Sequence, residues 1–451
     1  MPSTLQFGTI KTLWSVTHHP STVALNVGAP HLMASRTGPF AKFLSELRVA
    51  LRAPNGPGVA GLLDGMAGER CLRLLKLESI RGLGAFFTPS IIAERLLDRF
   101  SVSAWADEVV FDPACGAGDL LLPIARRLPI EATASSTLRF WSGRLLGCDL
   151  SPEFVEAAKL RLVLLAASRG ARLDESPEKL SALLTNLSVA DGLRVSDQYH
   201  RSSCIIMNPP YGRVVTEQSW RKGSVSAAAL FVERSAMHSA PGTQISTLLP
   251  EVLRTGTSYQ QWRNHIEQFV ISSRPESLGL FSKHADVDVY IQHFTARNER
   301  GCLPIVPLKP RRSTVADRFN VTVGTVVPHR HASLGRTFAY LHAKNAVPWG
   351  EIHRIRETRM FSGRTHKPPF VAVRRTSRPG DPERAVASLV TGKREVAVEN
   401  HLIVMTPKTK SIETCRELMR ILRSPGTDAW LNANMCCRHL TTLSLSSLPW
   451  D

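Results

Sequence analysis

Residues 108–128, EVVFDPACGAGDLLLPIARRL, and 144–167, RLLGCDLSPEFVEAAKLRLVLLAA, repeat one unit: a short apolar run, a turn, and a helix with an apolar face. A strand that feeds directly into such a helix returns alongside a parallel neighbour, so repetition of the unit predicts a mostly parallel sheet covered by helices. The pattern continues through SCIIMNPPYG (203–212), AALFVERSAMHSA (228–240) and TQISTLLP (243–250), and DVDVYIQHFTA (286–296) alternates like a half-buried strand. In the second unit, Ser151 suits a helix N-cap and Pro152 its first turn. The fold class is therefore α/β over residues 81–300.

Composition sets the outer limits. Hydrophobic residues make up 43% of 451, enough for a sizeable core. No uncharged apolar run reaches eighteen residues, so no membrane span is expected, and the opening MPSTLQFGTIKTLW does not read as a signal peptide. The eight cysteines form no C-x-x-C pair, which predicts neither a metal site nor a disulfide framework and suits a cytoplasmic protein.

Charge is segregated. The net charge is +18, of which residues 301–451 carry +13 and residues 1–300 only +5. A basic third points to a polyanion partner, nucleic acid first. RGCLPIVPLKPRRS (300–313), with three prolines and four basic residues, reads as a boundary. Beyond it, NVTVGTVV, FVAVRR and HLIVMT read as short strands and SIETCRELMRILRS as a helix. Before residue 81, FAKFLSELRVALRA (40–53) and ERCLRLLKLESI (69–80) have helical spacing. Three regions result: a helical extension over 1–80, an α/β domain over 81–300 and a basic mixed α+β domain over 301–451.

Four stretches carry chemistry. In FDPACGAGD (111–119), Gly116 and Gly118 permit a tight turn and close backbone approach to a ligand, and the following helix points its free N–H groups there, although many strand–helix turns use glycine only for packing. In LLGCDLSPEF (145–154), Asp149 ends a strand, where an acid accepts hydrogen bonds from ribose hydroxyls; the alternative is an N-cap aspartate. In SVADGL (188–193), Asp191 before Gly192 is either an acceptor for an adenine amino group or a turn aspartate. In MNPPYG (207–212), the prolines end a strand. The Asn208 side-chain oxygen and the Pro209 carbonyl can both accept from one planar NH₂ group, Pro210 stiffens the corner, and Tyr211 can stack on the base that bears the amine. The alternative is a plain Asn-Pro turn.

In this order these stretches resemble the S-adenosylmethionine-dependent DNA adenine-N6 methyltransferases of restriction–modification systems, gamma group. The resemblance begins at GAFFTPSIIAERLL (84–97), which looks like the family's F-x-T-P element, and runs to about residue 298. It implies a Rossmann-like methyltransferase sheet with helices on both faces, followed by a target-recognition domain. It implies S-adenosyl-L-methionine as cofactor, held by Phe87, Thr88, Pro89, Asp112, Ala114, Cys115, Gly116, Gly118, Asp149, Leu150, Asp191 and Gly192. It implies Asn208, Pro209, Pro210 and Tyr211 as catalytic residues acting on a flipped adenine, with no metal. The partners it implies are double-stranded DNA and a cognate restriction endonuclease. GLFSKHADVDVY (279–290) looks like the family's second base-stacking element, with Phe281 either the stacking aromatic or ordinary core. Arg354, Arg356, Arg364, Arg374 and Arg375, in the densest basic stretches, are the expected DNA contacts. Two departures stand out. Asp119 follows the G-x-G, as a helix N-cap or a cofactor contact, and PIEATASSTLRFWSGR (129–144) lengthens the path to Asp149. The rival readings are an RNA or protein amino-methyltransferase, or a non-catalytic DNA-binding defence subunit.

Overall fold

The structure is a computed structural model that describes residues 39–64, 88–281, 287–297, 313–331, 333–377, 381–434 and 439–450. The expected helix over 69–80, Phe87 and most of the 300–313 boundary lie outside these residues.

The larger sheet has eight strands: β1 (Val110–Asp112), β2 (Leu145–Asp149), β3 (Leu187–Val189), β4 (Cys204–Met207), β7 (Gln244–Pro250), β8 (Val270–Ser272), β9 (Glu276–Leu280) and β10 (Asp288–Ala296). Their order is 3-2-1-4-7-10-8, with β9 also beside β10. β1, β2, β3, β4 and β7 are parallel, and β10 runs antiparallel to β7, β8 and β9. This is the doubly wound, Rossmann-like arrangement that the repeated strand–helix units require.

β4 lies between β1 and β7, and Cys204, Ile205, Ile206 and Met207 are all buried. A parallel strand covered on both faces has this unbroken apolar run. The helix Pro152–Ser168 covers one face, with Ser151 capping it by accepting the Phe154 N–H at 3.3 Å. That helix is buried nearly all round because the helices Pro39–Ala50 and Ala134–Ser142 pack over it. The Phe40 and Phe154 rings meet at 4.9 Å, and Arg48 pairs with Glu156. Each fully buried leucine here, such as Leu162 or Leu164, stabilises the fold by about 1.5–3 kcal/mol. The lengthened stretch before β2 is the helix Ala134–Ser142, capped by Thr133, so the insertion leaves β2 in register beside β1.

A hairpin unforeseen from the sequence follows the Asn-Pro-Pro-Tyr corner: β5 (Arg213–Gln218) and β6 (Arg221–Ser226). Its turn is pinned where Trp220 Nε1 donates to Glu233 at 2.7 Å.

From residue 313 onward the sheets are mostly antiparallel. A five-stranded sheet has the order β11 (Phe319–Val323), β18 (Leu402–Pro407), β15 (Phe370–Arg374), β16 (Ala387–Val390), β13 (Glu351–Ile352). The helix Ile412–Leu422 packs on it through Cys415, Leu418 and Leu422. A three-stranded sheet holds β14 (Thr358–Phe361), β12 (Arg336–Leu341) and β17 (Val396–Val398). Among the described residues no helix is long and apolar enough to cross a membrane, and no group of three His, Cys, Asp or Glu side chains could hold a metal ion.

Candidate active site

The parallel strands end along one edge of the sheet, at Asp112, Asp149, Val189, Met207 and Pro250. The strand order reverses between β1 and β4, and the crevice beyond such a switch point is where open α/β sheets hold ligands.

The turn after β1 has Gly116 at φ +50° and Gly118 at φ +85°. A Cβ on Gly118 would stand 3.1 Å from the Ala158 Cβ, so this glycine lets the long helix pack against the turn. A Cβ on Gly116 would meet nothing within 4 Å, so its backbone faces open space. The Gly116 N–H donates to Asp149 Oδ2 at 3.1 Å and the Ser151 N–H to Oδ1 at 2.9 Å. Asp149 therefore joins the first turn to the second, while Ser151 caps the helix. Leu150 beside it is 64% exposed.

Asp112 is 1% exposed and accepts the Ala114 N–H at 3.0 Å. Burial pushes its carboxyl up to about 8, and the charges of Asp149 and Asp119 add to the rise. Among the described residues no basic side chain is paired with it. Burial also raises the Asp149 carboxyl and the thiols of Cys115 and Cys148, so both cysteines stay protonated and unreactive. Asp191 lies two residues past β3, where Oδ1 accepts the Leu193 N–H at 2.9 Å and Oδ2 is 3.3 Å from Arg194. The preceding Ala190 N–H donates to the Asp149 carbonyl, which places the two acidic turns side by side. A Cβ on Gly192 would fall 2.0 Å from the Pro113 carbonyl oxygen, so only glycine fits there.

At the end of β4, the Asn208 Nδ2 donates to Thr88 Oγ1 at 3.0 Å. The Tyr211 hydroxyl donates to Asn208 Oδ1 at 2.8 Å. Thr88 is buried and Pro89 is the N-cap residue of the helix Ser90–Leu97. Pro209 is buried, Pro210 and Tyr211 half-buried. Phe281 is 9% exposed, lies in the core and meets Tyr211 edge to face at 6.5 Å between ring centres. In this structure Tyr211 is a hydrogen-bonded neighbour of Asn208 and not a free platform. The structure thus brings Thr88, the glycine turn, Asp149, Asp191, Asn208, Tyr211 and Phe281 to one rim.

The five arginines divide. Arg354, Arg356 and Arg364 are exposed. Arg374 and Arg375 are half-buried at the end of β15 and donate to the carbonyls of Ala346 and Asn400. Asp119 does not cap the following helix, whose N-cap position is Leu120; it turns inward onto Arg161, a buried residue the sequence reading passed over. Its one signal in the sequence is a charge set among leucines in the run LRLVLL.

The donor set suits a ligand with a cationic end, a vicinal diol and a flat ring. Asp112 is a buried carboxyl with no cation paired to it among the described residues, Asp149 offers two oxygens at a strand end, and the exposed Leu150 offers an apolar face. Residues 65–239 match the family model described as N-6 DNA methylase. No curated protein matches this sequence. Among solved structures, the chain is similar to a Listeria monocytogenes protein assigned to the class I S-adenosylmethionine-dependent methyltransferases, at 15% identity over 59% of this chain and 90% of that one, TM-score 0.36. It is also similar to the type IIG restriction endonuclease BpuSI, at 14% identity over 83% and 58%, TM-score 0.36. A third is the M protein of the type I restriction enzyme EcoKI, at 15% identity over 57% and 67%, TM-score 0.31. The chain spans a little over half the length of BpuSI.

Proposed function

From the match of residues 65–239 to the N-6 DNA methylase family model, we propose that the chain is a member of that family and moves a methyl group from S-adenosylmethionine to the N6 amino group of an adenine flipped out of duplex DNA. We assign it as the modification component of a restriction–modification or related defence system, with a cognate endonuclease as partner. The observation that carries this reading is the Asn208 amide, turned by Thr88 so that its oxygen faces Tyr211 at the carboxyl end of β4.

Asp149 and Asp191 would hold the ribose and adenine ends of the cofactor, Leu150 its ring face, and Asp112 and Thr88 its charged end. Bound there, S-adenosylmethionine supplies a methyl group on an electrophilic sulfonium. The chain supplies position: reacting atoms held in line need little further activation. Asn208 Oδ1 and the Pro209 carbonyl accept the two hydrogens of the target amine. They also stabilise the positive charge that grows on its nitrogen. Extruding the adenine costs a few kcal/mol, and stacking on Tyr211 and Phe281 offsets about 1–3 kcal/mol per contact. For a base to stack on Tyr211, the phenol must give up Oδ1 to the incoming amine. The exposed Arg354, Arg356 and Arg364 of the basic third contact phosphates.

The test is transfer of tritiated methyl from S-adenosylmethionine by the full chain to duplex DNA, to RNA of the same sequence and to bulk protein. Label in DNA as N6-methyladenine supports the reading. Label only in RNA or protein replaces the substrate, and DNA binding without transfer makes the chain a non-catalytic subunit.

A further inference from the structure

Arg161 lies midway along the helix Pro152–Ser168, in an otherwise apolar run, and is fully buried. A guanidinium taken out of water costs several kcal/mol unless it is well paired, and a leucine or methionine would fill the same space without that cost. Arg161 ties its own helix to two other segments, the end of the helix Val59–Leu63 and the glycine turn. Its Nε donates to the Leu62 carbonyl at 2.8 Å, and its Nη1 to the Ala117 carbonyl and to Asp119 Oδ1, both at 2.7 Å. Asp119 is buried too, and its carboxylate also accepts the Thr88 backbone N–H. Thr88 Oγ1 in turn accepts from Asn208 Nδ2 at 3.0 Å. Contacts therefore run without a break from the long helix through the glycine turn to the amide at the end of β4.

We propose that Asp119, held by Arg161, is a positioning residue for methyl transfer: it fixes Thr88, and the Thr88 hydroxyl then locks the Asn208 amide with its oxygen toward the target amine. The inference rests on the role given to Asn208 above. An amide that loses its fixed acceptor can turn over and present NH₂ to the amine, two donors face to face. Small misplacements of this kind are costly in rate. The same contacts tie the cofactor turn to the amine corner, so the two halves of the reaction are set by one buried pair.

The test uses the full chain in single-turnover methylation, with saturating tritiated S-adenosylmethionine and plasmid DNA from a methylation-deficient host. The amplitude reports the folded fraction and the rate constant reports positioning. Asp119→Ala should lower the rate constant about tenfold or more, and Asp119→Asn, which keeps an acceptor for the Thr88 N–H, should restore most of it. Thr88→Val should show a similar loss, and the double variant should be no slower than Thr88→Val alone, because residues acting through one another are not additive. An unchanged rate constant with reduced amplitude, or additive losses, overturns the proposal. If Asp119→Ala does not fold, Asp119→Ser carries the same comparison. If the unmodified chain methylates no DNA, the functional reading fails by itself. The positioning claim is then decided by the crystal structure of the Asp119 variant: an Asn208–Thr88 contact still at 3.0 Å refutes it, and a broken or turned amide supports it.

Discussion

The Asn208 amide donates to Thr88 and accepts from Tyr211, so both of its ends are committed and its orientation is settled before any base arrives. Asn208→Ala is expected to cut methyl transfer by about 10²–10³-fold, the usual cost of removing one preorganised polar group at a site of developing charge. Asn208→Asp keeps an acceptor but loses the donor to Thr88, and should be nearly as impaired. Cofactor affinity by calorimetry should change less than about threefold in both, since neither removes a strand-end acid. A loss of cofactor binding equal to the loss of transfer would contradict this division of labour.

Tyr211 tests the stacking role separately. Its phenol is pushed well up by burial, so it stays protonated and can only be a neutral donor. Tyr211→Phe removes the bond to Asn208 Oδ1 but leaves the ring against Phe281, and transfer should remain within about fivefold. Tyr211→Ala removes the ring, and affinity for duplex carrying the target should fall by about 1–3 kcal/mol. Fluorescence of 2-aminopurine at the target position reads this directly: the flipped signal should persist in Tyr211→Phe and fade in Tyr211→Ala.

The middle of the sheet was legible because β1, β2, β4, β7 and β10 announce themselves locally, whereas the short strands β3, β8 and β9 were not foreseen. β4 is four apolar residues stopped by two prolines, and β2 is short, apolar and closed by Asp149 and a Ser-Pro helix start. The insertion before β2 did not disturb the reading, since it folds as one capped helix on the sheet's flank. What stayed hidden depends on distant contacts. Arg161 and Asp119 are 42 residues apart, and nothing at either position says that the other will be beside it. Asp119 reads locally as a cap, yet the buried guanidinium draws it inward. Arg374 and Arg375 read as part of a basic surface, but both are half-buried and each gives one guanidinium N–H to a backbone carbonyl, that of Ala346 and of Asn400. The hairpin β5–β6 escaped because RVVTEQSWRKGSVS lacks strict alternation and a glycine turn; Trp220 anchored on Glu233 supplies the turn instead.

Asp112 makes the ligand-free protein sensitive to pH. Its folded carboxyl titrates near 8, against about 4 in an unfolded chain, because burial disfavours the charged form. The folded state then holds a proton that the unfolded state has lost, so stability falls as pH rises from about 4 to about 8. Asp119 and Asp149 are raised by burial in the same direction and steepen the slope. Urea midpoints should drop between pH 6 and pH 8, with Asp112 contributing up to about 2 kcal/mol. Asp112→Asn should flatten that dependence without abolishing it. Equal slopes for the two proteins would mean that Asp112 is ionised in the fold.

The arginines separate surface charge from framework. Arg354, Arg356 and Arg364 are exposed, and each phosphate contact removed should lower the slope of log affinity against log salt by about 1. The triple variant Arg354→Ala, Arg356→Ala, Arg364→Ala should therefore bind duplex DNA with a slope lower by about 3 and keep its melting temperature. Arg374 and Arg375 should behave in the opposite way. Each fills a half-buried place at the end of β15 and donates to a backbone carbonyl. Truncating either leaves that carbonyl without its donor and should cost about 1–3 kcal/mol of stability, with the salt slope nearly unchanged. Titrations from 50 to 200 mM salt beside thermal melts distinguish the two sets. A triple variant with an unaltered slope would remove the exposed arginines from the DNA interface.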